Sequence, residues 1–139
     1  MIPTQPTSTP FQRALSLLRQ LRSEFTVFGR NLPLAIGIDK QIIARKAGLD
    51  RTTLRDALRI HTTSLNYLKT MRRATVRFDL DANEAGEVTE VHRTHAANLF
   101  SERVKKDAQK KKAQREAEEE AQRRTRKLEE LAAKFSPQR

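Results

Sequence analysis

Three arginines, Arg51, Arg55 and Arg59, fall four residues apart in the stretch RTTLRDALRIHTTSLNYLK, residues 51–69. On a helix, like charges at that spacing are neighbours and repel by about 0.2–0.5 kcal/mol per pair. A guanidinium is also a planar fork of donors that suits phosphate oxygens. Thr62, Thr63 and Ser64 follow at a break, where hydroxyls and the first unpaired N–H groups of a new helix can serve an anion. Tyr67 presents a ring face on which an unpaired base can stack. Lys69, Arg72 and Arg73 continue the positive charge, and Arg77 projects from the polar face of a strand. Together these residues can grip a sugar-phosphate chain with one base splayed out, and a polyanion would offset their mutual repulsion. The competing reading is a solvated face, since Arg and Lys are good helix formers and Asp56 can pair with Arg59.

Composition favours the first reading. The 139 residues hold 28 Lys and Arg against 17 Asp and Glu, a net charge of +11 that needs a counter-charge. Nucleic acid, an anionic membrane and an acidic protein are the candidates, in that order. There is no cysteine, so disulfides and thiolate metal sites are excluded. The start, MIPTQPTSTP, has no basic region followed by an apolar run and is not read as a signal peptide. No run of 18 apolar residues is present, so nothing is expected to span a membrane. A cytoplasmic monomer is expected, with RNA rather than a membrane as its partner.

The elements that must position these side chains follow from periodicity and caps. Residues 1–9 read as a flexible tail. Thr9 caps a helix that carries Pro10 at its first position and Phe11, Ala14, Leu15, Leu18 and Leu21 on one side, running to about residue 23. Residues 24–38 read as irregular, with Phe25, Phe28, Leu32 and Leu34 filling core gaps. Asp39 is expected to cap a second helix, with Gly48 at its C′ position. Asp50 caps a third, whose Leu54, Ala57, Leu58 and His61 face inward. Thr62 or Thr63 caps a short fourth. Val76, Phe78 and Leu80 alternate with Thr75, Arg77, Asp79 and Asp81 as a half-buried strand. Residues 82–86 form a turn and 87–89 a return strand. Thr89 caps a last helix with Val91, His95 and Leu99 on its apolar face. From residue 101 the chain is charged and Ala-rich, with Glu119–Arg123, Glu120–Arg124 and Glu130–Lys134 as helix-supporting pairs. It reads as a solvated helix that frays toward its end. Residues 101–139 hold 13 Lys and Arg against 8 Asp and Glu, and Lys110, Lys111 and Lys112 form an unbroken secondary basic patch.

Other constellations are weaker. IIARKAGLDRTTLRDAL (42–58) has the helix–Gly–helix corner of a helix-turn-helix DNA-binding regulator, in which the third helix would enter a major groove. His92 and His95 are three apart on a helix, but no third ligand stands at metal-binding spacing, and His95 reads as a core residue. Asp79 and Asp81 read as turn chemistry rather than a metal-nuclease pair. No nucleophile–base pair, P-loop or dinucleotide fingerprint is present. No enzyme, metal or cofactor is expected.

Read in order, P-L-x-I-G-I (33–38), T-x-L-R-x-A-L-R (52–59), T-x-S-L-x-Y-L (62–68), V-R-F-D-L-D (76–81), G-E (86–87) and H-x-x-H-A (92–96) resemble the ProQ/FinO family of bacterial RNA-binding proteins over roughly residues 10–103. The resemblance implies an α+β fold: a mostly helical, compact domain over 10–103 with a small β-hairpin, here followed by a charged helical extension over 104–139. It implies an RNA chaperone that binds small regulatory RNAs and messenger 3′ ends, as a hairpin followed by a single-stranded 3′ tail. The family's signature arginine and tyrosine correspond to Arg55 and Tyr67, its preceding basic residue to Arg51, and its second helix arginine and strand arginine to Arg59 and Arg77. The corner at Thr62 to Ser64 would cradle terminal phosphates. Ala35 departs from the lysine that relatives often carry in P-L-K-I-G-I, so that contact is missing or replaced.

Overall fold

The computed structural model describes residues 8 to 135. Residues 1–7 of the expected tail lie outside them. The chain runs α1 (Pro10–Glu24), α2 (Thr26–Gly29), α3 (Ile38–Arg45), α4 (Arg51–Thr62), α5 (Leu65–Met71), β1 (Val76–Phe78), β2 (Glu84–Glu87) and α6 (Glu90–Lys134). It is mostly helical, with a two-stranded antiparallel sheet and a long C-terminal helix, as expected. One unit ends at Ser101 and a second begins at Glu102. None of the described helices is long and apolar enough to cross a membrane.

α1 starts where Thr9 and Gln12 exchange side-chain and backbone hydrogen bonds, each 3.1 Å, in a reciprocal cap. Its buried stripe is Ala14, Leu17, Leu18 and Leu21. Phe11, expected to face the core, is 61% exposed. The segment read as irregular contains the single turn α2, which drives Val27 and Phe28 into the core. Gly29 is required there, because a Cβ on it would lie 2.9 Å from the carbonyl oxygen of Arg22. α1 packs against α4, whose buried residues are Leu54, Ala57 and His61.

Two helix boundaries differ from expectation. α3 is preceded by Gly37 in the left-handed region, φ +84°, with no side-chain cap; Asp39 lies inside the first turn. The helix ends at Arg45, so Gly48 (φ +85°) serves the following turn rather than the C′ position. In the hairpin, Asp79 accepts from the N–H groups of Asp81 and Asn83, both at 2.9 Å. This tightens the turn and starts the return strand at Glu84, earlier than the pattern suggested. β1 also bonds on its other side: Phe78 N–H donates to Pro33 (2.8 Å) and Ala35 N–H donates to Phe78 (2.9 Å).

Thr89 caps α6 as expected. The inward residue is Ala96, while Val91 and His95 are exposed, so His95 is not a core histidine. α6 continues without a break through Lys134, and its residues beyond Ser101 are almost all exposed. Glu120 pairs with Arg124 at 2.8 Å, an i, i+4 contact that supports the helix locally.

The buried histidine is His61. Its ring lies 5.0 Å from that of Phe28 and 5.2 Å from that of Tyr67, and neither ring nitrogen has a hydrogen-bond partner. Burial, helped by Arg22, lowers its pKa to about 4. The unfolded chain therefore takes up this proton first as pH falls, so stability declines from about pH 6.5 down toward about pH 4. At about pH 5 the loss from this residue alone is about 2 kcal/mol. Thermal melts at about pH 7.5 and about pH 5 should show the loss in the native chain. His61→Leu should lack it, with melting at the higher pH unchanged or raised, since two unpaired buried nitrogens are removed.

Candidate nucleic-acid interface

The arginine row is built by the cap of α4. Asp50 accepts from Thr53 N–H (3.2 Å) and Thr53 Oγ1 (2.7 Å), and these bonds hold its carboxyl below the ordinary carboxylate range. With the helix phased by Leu54, Ala57 and His61 facing inward, Arg51, Arg55 and Arg59 are exposed. Among the described residues their guanidinium groups form no hydrogen bond or ion pair. Nearby cations are committed elsewhere. Arg45 grips the Asp81 carboxylate with both terminal nitrogens, and Lys46 bonds Glu24 at 2.7 Å. Arg51 and Arg55 line a cleft between α3 and α4 with a volume of about 540 Å³.

The hydroxyl corner differs from expectation. Ser64, not Thr62 or Thr63, caps α5 by accepting from Tyr67 N–H at 3.3 Å. Thr62 donates to the carbonyl of Leu58 (2.8 Å), Thr63 to that of Arg59 (2.7 Å) and Ser64 to that of His61 (2.7 Å). Each hydroxyl has one proton, so these three are already spent on closing the end of α4. The corner is not a set of free donors.

Tyr67 and Arg77 are placed differently again. Tyr67 is 5% exposed, and its ring packs beside His61 instead of offering a face for a base. Its hydroxyl accepts from Leu34 N–H at 3.2 Å, and burial raises its pKa. Arg77 was expected on the solvent side of β1, but it is the most buried residue of that strand, at 9% exposure. It donates to Leu34 O (2.9 Å), Glu87 O (3.3 Å) and His92 Nδ1 (2.9 Å). The last bond makes Nδ1 an acceptor, so the neutral ring carries its proton on Nε2. Two residues picked out as RNA contacts thus converge on the two sides of one residue's backbone, that of Leu34. Sequence reasoning missed this clamp. No local signal marked it, because alternation along a strand assigns a charged residue to the solvent side.

Arg72 lies over the Phe100 ring, 4.3 Å from its centroid, and is half-buried. Lys69 and Arg73 are exposed. Ala35 is buried. Lys110, Lys111 and Lys112 are exposed within α6, in the second unit. His92 is bound to Arg77, and no group of three metal-ligating side chains occurs among the described residues.

A crystal structure of a FinO-like RNA chaperone from Neisseria meningitidis MC58 superposes with a TM-score of 0.62 at 29% identity, covering 68% of this chain and 82% of that one. The solution structure of a ProQ homologue from Legionella pneumophila matches at 25% identity over 75% of this chain and 93% of that one, with a TM-score of 0.49. The model of the ProQ/FinO family matches residues 11–114. The chain belongs to the ProQ/FinO family.

Proposed function

We propose that this protein binds RNA as a chaperone in cytoplasmic post-transcriptional regulation, taking small regulatory RNAs and messenger 3′ ends as a hairpin with a single-stranded 3′ tail. The observation that carries the reading is the row of three exposed, unpaired guanidinium groups on α4. Such a row repels itself unless an anion lies along it, and phosphates two forks apart suit it. Family membership and likeness to a FinO-like RNA chaperone support RNA as that anion. In this reading Arg51, Arg55 and Arg59 hold phosphates, and Lys69 and Arg73 extend the basic surface. Tyr67 and Arg77 act from behind by fixing the Leu34 segment. Lys110 to Lys112 add affinity without choosing sequence, because lysines on phosphates read no bases. No catalytic step is invoked, and a monomer suffices.

The ligand class is checked by titrating a hairpin with its U-rich tail against the same hairpin trimmed or 3′-phosphorylated. The tailed hairpin should bind tightest. Equal affinity for all three removes the 3′-end preference, and equal competition by duplex DNA makes general polyanion binding the better account.

Two substitutions separate contact from support. Arg55→Ala should weaken RNA binding by about 1.5–3 kcal/mol with little change in melting temperature. Tyr67→Phe leaves the buried Leu34 N–H without an acceptor and should cost about 1–3 kcal/mol of stability. The reverse pattern, measured by melts and binding isotherms, would assign the roles the other way round.

Truncation after Val104 should lower affinity for all RNAs by a similar factor. It should also flatten the salt dependence, by about 0.7–0.9 log units of slope for each phosphate that the extension neutralises in the native chain. An unchanged slope would leave the extension as a solvated helix with no hold on RNA.

A further inference from the structure

The cleft between α3 and α4 has a composition that phosphate binding does not explain. Ile43 of α3 and Leu54 and Leu58 of α4 give it an apolar lining, with Ala44 exposed at its side. Arg51 and Arg55 edge it from α4, and Asp39 and Lys40 from α3. A groove meant only for a sugar-phosphate chain has no use for an apolar lining, and a carboxylate there repels the ligand. The Asp39 carboxylate makes no hydrogen bond or ion pair among the described residues. Lys40 follows it directly in α3, and side chains one apart on a helix do not face each other. The Asp39 carboxylate is therefore an acceptor without a donor, at the rim of an apolar slot that Lys40 and two unpaired arginines also edge.

We propose that this cleft is a base pocket that takes an unpaired guanine, with the base on the Ile43, Leu54 and Leu58 wall and Asp39 accepting from its Watson–Crick edge. The inference rests on the reading of the arginine row as an RNA grip. A volume of about 540 Å³ is within the range of small-molecule sites and leaves room for a nucleotide and its water. The choice of base follows from donor counting. A carboxylate has two oxygens and only accepts. Guanine presents the N1–H and N2–H donors side by side, which matches both oxygens. Adenine and cytosine each set one amino donor beside an acceptor, and uracil sets one N–H between two carbonyls. Arg51 and Arg55 then meet the phosphates on either side of the inserted base.

The test titrates the full chain with the 5′-monophosphates of guanosine, adenosine, cytidine and uridine, followed by NMR. The guanosine nucleotide should bind about 10-fold more tightly than the others, as expected for one matched pair of hydrogen bonds at the low end of their range. It should shift the methyl signals of Ile43, Leu54 and Leu58. Asp39→Asn should level the four affinities, and Ala44→Phe, an exposed substitution that fills the slot, should abolish binding of all four. Equal affinities in the native chain overturn the proposal, as do shifts confined to residues outside the cleft or a guanine preference that survives Asp39→Asn. A tailed hairpin RNA titrated in parallel separates the pocket from the grip. Hairpin binding with no nucleotide preference removes only the base pocket; absence of hairpin binding removes the RNA grip and the pocket with it.

Discussion

The backbone of Leu34 is the point on which the rest of the first unit depends. Its N–H is bound by the Tyr67 hydroxyl and its carbonyl by the Arg77 guanidinium. Neighbouring backbone bonds from Pro33 and Ala35 tie the same segment to β1. A loop buried at this depth would otherwise carry unsatisfied polar groups at about 1–3 kcal/mol each. Here one side chain from α5 and one from β1 satisfy both. The clamp joins three distant pieces of sequence, and Arg77 adds β2 and α6 through Glu87 and His92.

This arrangement divides the basic residues into two kinds. Arg45, Lys46, Arg72, Arg77 and Arg93 are engaged by carboxylates, an aromatic ring or backbone carbonyls, and they hold elements together. Arg51, Arg55 and Arg59 are left facing water on a helix whose other side is fixed in the core. A rigid helix that presents unpaired charge is organised before any ligand arrives, which lowers the ordering cost of binding.

Much of the fold was legible because its signals are local. Thr9, Asp50 and Thr89 cap the helices that their spacing predicts. The three hydroxyls at 62–64 defeated the same logic, since any of them could cap and only Ser64 has the extended backbone for it. The exposure of the arginine row was readable from the 3.6-residue period. The burial of Arg77 was not, because alternation assigns a charged residue to the solvent side. What decides its position is a set of acceptors at Leu34, Glu87 and His92, up to 43 residues away in sequence. His95 and His61 illustrate the same limit. Both sit near apolar positions on helices, and only tertiary packing covers one and exposes the other.

The burial of Tyr67 has an optical consequence. The chain has one tyrosine and no tryptophan. Excited at wavelengths where its six phenylalanines hardly absorb, it therefore emits from a single phenol, enclosed beside His61 and hydrogen-bonded to Leu34. That signal reports the state of the clamp and of little else. The 45-residue α6 holds about half of the residues in the described helices, so the far-ultraviolet dichroism reports helix in α6 together with helix in α1 to α5. Dichroism lost while the phenol signal holds is thus loss of helix away from the clamp, read from one unlabelled sample at two wavelengths.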